Sequence, residues 1–335
     1  MKTILTIYCA CMFAIATYAQ EPDKALVKVQ YSFIHIADTT QRDKPYTETM
    51  LLIAGKNASL YTSYDRIEQS VNIALQVAEM KKNGIHQAEM QGKKNLTTQY
   101  YFFAREHKFF SYEPMHFNYL VEDETEKPDW KIVKDTLSFS GIHCQKATAR
   151  FKGRNWIAWF AAELPFESGP WKLNGLPGLI IEAYDDKKEV QFKFAGIQKI
   201  KEGDLAVEKA AGLSVYFLKG TVGLNVSEVK LPPEGELTNG GIGKITKKEY
   251  DKLKVAYDKD PAGFGNAQNA ANGATPGGGN NNSGRNPSGR IVGGGSSGGG
   301  NGGSGGGSSG GYGVHMTFSP VTIVTNNPIE LPEKK

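Results

Sequence analysis

The sequence predicts a mainly β protein, an antiparallel sheet with one or two short helices. Two kinds of observation carry this. Apolar and polar residues alternate strictly in several segments, as in LVKVQYSFIHI at 26–36, where Val27, Val29, Tyr31 and Phe33 face one way and Lys28, Gln30 and Ser32 the other. Strands with one wet face belong to antiparallel sheets. Helical spacing, in contrast, appears only around 66–80 and 247–259.

The 335 residues are 39% hydrophobic and 22% charged, enough apolar material for a core, which excludes a wholly disordered or fibrous chain. Formal net charge is +4 and the pI about 8.7, too mild to point to nucleic acid. Residues 1–20, MKTILTIYCACMFAIATYAQ, read as a secretory signal peptide: Lys2, then an apolar stretch from Ile4 to about Ala16, then small residues to Ala19. The stretch is shorter than the ~20 residues a membrane span needs. No other apolar run is long enough to cross, so no transmembrane span is expected after cleavage. Cleavage there removes Cys9 and Cys11 and leaves only Cys144, which excludes an internal disulfide in the mature chain. Cys144 reads as a small buried hydrophobe rather than a reactive thiol.

Beyond the first strand, residues 50–64 read as two short strands around a Gly55–Asn57 turn. A helix follows, with Asp65 as its cap, Glu68 reaching back, and Ile67, Val71, Ala74, Leu75 and Ala78 as its stripe; Asn83-Gly84 ends it. Residues 97–115 read as two aromatic-rich strands and 121–131 as a charged loop. At least four strands follow, near 142–151, 155–162, 178–184 and 189–200, with turns at Gly153-Arg154 and at 185–188. Thr246 and Glu249 form a capping box before a lysine-rich helix at 247–259. Residues 261–313 hold 22 of the 39 glycines and read as a disordered Gly/Asn/Ser-rich loop. Alternation resumes at 314–335, notably at Val321 and Ile323, and is read as a last strand returning to the sheet of the 21–260 domain.

Residues 175–180 spell GLPGLI, within GPWKLNGLPGLIIEAYDD at 169–186. With CQKA at 144–147, Gly153-Arg154, Trp159-Phe160, Gly169-Pro170 and NPIEL near the end, this resembles the GLPGLI family of exported proteins from Bacteroidetes-type bacteria. The resemblance implies a signal peptide and a β-rich fold in the periplasm, outer membrane or cell surface. A related domain forms the bowl-like N-terminal module of a flavobacterial peptide N-glycosidase, outside its catalytic part, which implies an open bowl or half-barrel here. It implies no activity. Physically, Gly175, Leu176, Pro177, Gly178, Leu179 and Ile180 read as a chain reversal: positive φ at Gly175, then a type II turn with Pro177 and a positive φ at Gly178, then a buried strand.

No reaction is legible. The histidines His35, His86, His107, His116, His143 and His315 form no HExxH or zinc spacing, so neither metal nor cofactor is expected. His143 and Cys144 are sequence neighbours and point to opposite faces of a strand. Glu163 and Glu167, or Asp185-Asp186, are the candidate paired carboxylates, and nothing in the sequence brings them across a cleft. Trp156, Trp159, Phe160 and Trp171 are the candidate ligand or partner contacts. The expected function is therefore a non-catalytic envelope module. It binds an apolar ligand or a protein partner in a concave face that is open or plugged by the 66–80 helix. The alternative is a secreted hydrolase, or an accessory domain of one, acting on envelope or glycan substrates.

Overall fold

Alternation in the sequence becomes alternation in burial: the residues of Val27–His35 are by turns buried and half-exposed along the strand. The structure, a computed structural model, describes residues 23–85, 87–92, 95–115, 117–123, 126–200, 228–229, 242–271, 290–292, 313–318 and 325–333. Its strands are β1 Asp23–Lys24, β2 Val27–His35, β3 Tyr46–Ala54, β4 Ala58–Ser63, β5 Gln87–Gly92, β6 Gln99–Phe103, β7 Lys108–Pro114, β8 Asn118–Asp123 and β9 Lys131–Phe139. They continue as β10 Ile142–Phe151, β11 Arg154–Ala161, β12 Leu179–Asp185, β13 Val190–Lys199, β14 Glu228–Val229, β15 Ile242–Thr246, β16 Arg290–Val292 and β17 Gly313–Phe318. The helices are α1 Tyr64–Lys82, α2 Lys247–Lys259 and α3 Pro261–Ala271.

Twelve strands form one open sheet in the order β15-β8-β7-β6-β4-β3-β2-β13-β12-β11-β10-β9. All its pairs are antiparallel except β15 with β8. Two meanders, one running from β2 to β8 and one from β9 to β13, meet where β2 pairs with β13 from Val27↔Lys199 to His35↔Val190. The sheet curls. Three strand spacings separate β4 from β13, about 14 Å in a flat sheet. Yet the rings of Tyr61 on β4 and Phe192 on β13 lie 6.1 Å apart. The mainly β, open antiparallel fold is thus as expected, with three helices among the described residues instead of one or two.

The concave side is filled by the loop that carries GLPGLI. Ala147, Ala158 and Ala183 form a register row across β10, β11 and β12, and these small side chains leave depth over the sheet. Residues 162–178 occupy it, burying Phe166, Trp171, Leu173 and Leu176 in the core. Each such side chain contributes about 1.5–3 kcal/mol by leaving water. An aromatic ladder runs beneath, from Trp171 to Trp156 at 5.5 Å, Trp156 to Phe192 at 6.1 Å and Phe192 to Phe33 at 5.2 Å. The expectation of a concave face that is open, or plugged by the 66–80 helix, is overturned. α1 lies against β3, where Tyr64 and Ile67 pack on a second cluster around Leu51, Ile53, Leu60, Tyr101 and Phe110.

Local chemistry differs from expectation at several points. Ser63 caps α1: its Oγ accepts from Arg66 N at 2.9 Å, while Asp65 sits in the first turn and accepts from Thr49 N. The capping box at Thr246 and Glu249 is present. Gly175 has the expected positive φ of 84°, but Gly178 does not adopt one. Gly178 is glycine because a Cβ there would lie 2.2 Å from the Ala161 carbonyl oxygen. Residues 131–139 are a strand that the sequence reading lacks. β9 is a sheet edge exposed at most positions, so its residues carry little alternation.

Residues 261–271 are helical rather than part of a loop. The strand at Gly313–Phe318 pairs with β5 and β16 in a separate three-stranded sheet, not with the large one. The chain still returns to the main sheet, but through residues 325–333 in irregular form. Residues 1–22, most of the glycine-rich tract, and Val321 and Ile323 lie outside the described residues.

Replacing Gly178 by Ala forces the loop off Ala161 and lowers stability by about 1–3 kcal/mol. Gly196→Ala, where an added Cβ meets nothing within 4 Å, changes it by less than about 0.5 kcal/mol. Urea midpoints of the two variants check the difference.

Candidate functional site

Three groupings of side chains stand out. The first is a buried polar clasp. Arg154 begins β11, and its neighbours Lys152 and Gly153 adopt positive φ of 49° and 72°, making the tight turn from β10. Its guanidinium is nearly inaccessible. Nε donates to Ile329 O at 2.8 Å; Nη1 donates to Asp185 Oδ2 at 2.7 Å and Glu189 Oε2 at 3.4 Å; Nη2 donates to Asn327 Oδ1 and Pro328 O, both at 2.7 Å. The other Asp185 oxygen accepts from the Glu189 and Val190 backbone N–H groups at 2.7 and 2.9 Å. Asn327 donates onward to Ile36 O and Glu189, and its own carbonyl accepts from His35 Nε2 at 2.7 Å.

Burial works to raise the Glu189 carboxyl, but hydrogen bonds and charge from Arg42 and Arg154, with Asn327, outweigh it and hold it below the usual carboxylate range. Burial, opposed by the bond to Asn327, lowers the His35 imidazole below its ordinary 6.5. The clasp is a fully partnered structural network.

The second grouping lies at the rim where the loop meets β6, β7 and β8. Lys172 follows Trp171, which has a positive φ of 55°. Its ammonium sits between Asp123 Oδ2 at 2.6 Å and Glu330 Oε1 at 2.8 Å. Burial opposes its charge; Glu330 and Asp123 more than offset that and raise it. Close by, Glu113 at the end of β7 accepts from Thr98 Oγ1 at 2.9 Å. Burial pushes its carboxyl up, against bonds from Thr98 and Ser111 and the charges of Lys172 and Lys247.

The third grouping is an aromatic patch beside the open edge. Phe139 of β9 lies 6.4 Å from Trp159 and 6.5 Å from Phe194, ring to ring, and all three rings are half-buried. Leu137, two residues before Phe139 and so on the same face, is 48% exposed. Lys146, Trp159 and Glu182 sit opposite one another across β10, β11 and β12, with Lys146 Nζ 5.9 Å from the Trp159 ring centre.

The four aromatics singled out by sequence therefore divide. Trp156, Phe160 and Trp171 are core residues, and only Trp159 reaches the surface. Leu176, Leu179 and Ile180 are buried, and Tyr31 donates to the Ile180 carbonyl at 2.6 Å. Cys144 is buried, which pushes its thiol up to about 11 and keeps it protonated. Glu163 and Glu167 are exposed on the loop rather than gathered at Glu113, and Asp185 belongs to the clasp. Among the described residues, no group of three or more His, Cys, Asp or Glu is placed to hold a metal, and no helix is long and apolar enough to cross a membrane.

Sequence reasoning passed over Arg154, Asn327, Lys172 and Glu113. Gly153-Arg154 and NPIEL mark two of these positions as motifs. Glu113 continues the row of Phe109 and Ser111, but both faces of β7 are mixed, so alternation does not single it out.

Stability falls with acidification for two reasons. His35 and Glu189 both have folded pKa values below their unfolded ones, so their contributions are complete above about 6.5 and 4.5 respectively and are lost as pH falls. Urea midpoints are expected to drop between pH 7 and 5 and again toward pH 3, and His35→Gln flattens the first segment. Arg154→Met, which leaves the buried Asp185 without its counter-charge and Asn327 Oδ1, Pro328 O and Ile329 O without their donor, costs about 3–5 kcal/mol. Glu113 has the opposite sign: its raised pKa makes its contribution complete below about 4.5 and lost at higher pH. Glu113→Gln therefore stabilises the chain at pH 8, with the gain absent at pH 4.

The profile of a family described as "Protein of unknown function (Porph_ging)" matches residues 62–182, from β4 into β12. No curated protein matches the chain. Among solved structures the chain is similar to PNGF-II in its P21 crystal form, with TM-score 0.42 and 12% identity over 68% of this chain and 32% of that one. The C2 form gives TM-score 0.40 with the same identity and coverage. The chain thus spans about a third of PNGF-II, 32% by coverage.

Proposed function

We propose that the chain is an exported cell-envelope protein without a catalytic role, which holds an apolar ligand or a protein partner on its outer surface. The signal-like first twenty residues support export. The observation that carries the binding reading is the patch of Leu137, Phe139, Trp159 and Phe194 beside edge strand β9. Half-buried aromatics next to a strand that, among the described residues, has no neighbour on its outer side suit a partner that adds an extended segment and seats side chains on the rings. The partner is bound outside the sheet, because the loop already fills the inside. Lys146 and Glu182 flank Trp159 and would orient a polar end of that partner.

One group favours the hydrolase alternative. A carboxyl raised by burial, as at Glu113, is what a general acid needs. Two carboxylates of the rim, Asp123 and Glu330, are both engaged by Lys172, so neither stands free beside Glu113 for the two-acid chemistry of glycoside cleavage. The binding reading is therefore preferred.

Co-purification of the full chain from an envelope fraction, with mass spectrometry of bound lipid and protein, tests it. Trp159→Ser and Leu137→Asp are expected to lose at least ten-fold of any specific capture; Leu137→Asp, at an exposed position, shifts stability by no more than about 1 kcal/mol, while Trp159→Ser also gives up ring packing on Phe139 and the core. Capture of the same set by wild type and both variants would remove the patch from consideration.

A further inference from the structure

The C-terminal segment 325–333 is bound the way a peptide ligand is bound. It contributes no strand or helix of its own. One side chain, Asn327, is buried, and Ile329 packs partly on the core. The other contacts are polar and come from scattered turns. Ala37 O accepts from the backbone N–H groups of Asn326 and Asn327 at 3.1 Å, and Lys152 O accepts from Leu331 N at 3.0 Å. Arg154 reads the Asn327 side chain and the two carbonyls that follow, as described above. Gly153 N donates to Glu333 at 2.6 Å, and Arg150 lies 3.3 Å from the same carboxylate. Lys172 takes Glu330.

The complementarity is of charge and of shape. The seat supplies Arg150, Arg154 and Lys172; the segment supplies Glu330 and Glu333. At Gly153 an added Cβ would lie 2.5 Å from the Leu331 carbonyl oxygen, so the turn is shaped to the segment.

We propose that this seat is a recognition site for an extended peptide of the form Asn-Pro-apolar-Glu, filled in each molecule by its own C-terminus and open to exchange with the C-terminus of a second copy. The second copy is the committed occupant because its segment reproduces every contact, including the buried Asn327 and both glutamates. Occupancy in cis lowers the apparent affinity for an added segment by the fraction of time the seat is free. Weakening the chain's own segment must therefore strengthen binding of an intact one. Exchange is independent of the patch at Trp159.

The test uses the full chain and a fluorescent synthetic peptide of residues 325–335, which stands in for the second copy's segment. Anisotropy is expected to give at least ten-fold tighter peptide binding to the Asn327→Ala chain than to wild type. The same gain is expected for the milder Glu330→Gln/Glu333→Gln chain, which remains informative should loss of Asn327 unfold the protein. Adding Arg154→Lys, which keeps the charge but loses the planar fork, abolishes the gain in either background. Circular dichroism checks the fold of each chain. Equal binding to wild type and to the folded variants overturns the proposal, as does equal binding of a scrambled peptide. A gain that survives Arg154→Lys also overturns it, because recognition would then be of charge alone.

Discussion

A buried guanidinium has to find acceptors for all its N–H groups, and meeting that demand at Arg154 organises one end of this molecule. Desolvating the charge is expensive, and the compensation must come from several partners held at once. Asp185 and Glu189 come from the β12–β13 turn, Asn327, Pro328 and Ile329 from the end of the chain. Each partner is itself bound elsewhere: Asp185 to the backbone of its own turn, Asn327 to the edge of β2. Removing Arg154 leaves Asn327 Oδ1, Pro328 O and Ile329 O without their donor in a dry site. The clasp thus couples the β10–β11 turn, the β12–β13 turn, the loop after β2 and the C-terminus, which lie far apart in sequence.

The second constraint is volume. A sheet curled enough to bring Tyr61 to Phe192 encloses a space, and in this chain the space is taken up by its own loop. The row of alanines beneath and the leucines, phenylalanine and tryptophan above are two halves of one packing solution, since interiors tolerate neither voids nor overlap. Gly178 and Gly169 are small because the loop backbone runs against Ala161 and Leu173. A GLPGLI turn in this setting is a wedge that keeps the loop in place. The consequence is spatial: the inside of the sheet is filled by the chain's own loop, and the aromatic rings that keep some exposure, Phe139, Trp159 and Phe194, lie beside strand β9.

The rim around Lys172 joins these two features. Lys172 belongs to the wedge loop, Glu330 to the clasped C-terminus and Asp123 to β8. One ammonium therefore ties the loop, the tail and the first meander together. Glu113 sits beside it as a carboxyl that burial pushes toward its neutral form.

How much of this was legible depends on the range of the interactions. Strands β2, β10, β11, β12 and β13, the turns at Gly153-Arg154 and at 185–188, and the capping box at Thr246 are readable because side-chain period, positive-φ preference and capping act within a few residues; that Lys152 shares the positive φ of Gly153 is not. The edge strand β9 was not, since a strand exposed on both faces has no period to show. The sequence predicts a turn glycine at Gly178, but what requires glycine there is the carbonyl of Ala161, a contact that depends on how the loop folds back. The C-terminal alternation pointed to a strand in the main sheet, but pairing partners are chosen by neighbours the pattern does not name. Composition, antiparallel β class and most hairpins followed from the sequence by itself. The filling of the concave face, the outward placement of Trp159 alone, and the partnership of Arg154 with Asn327, 173 positions away, were decided by tertiary structure, because buried charge and buried volume are balanced only once distant segments meet.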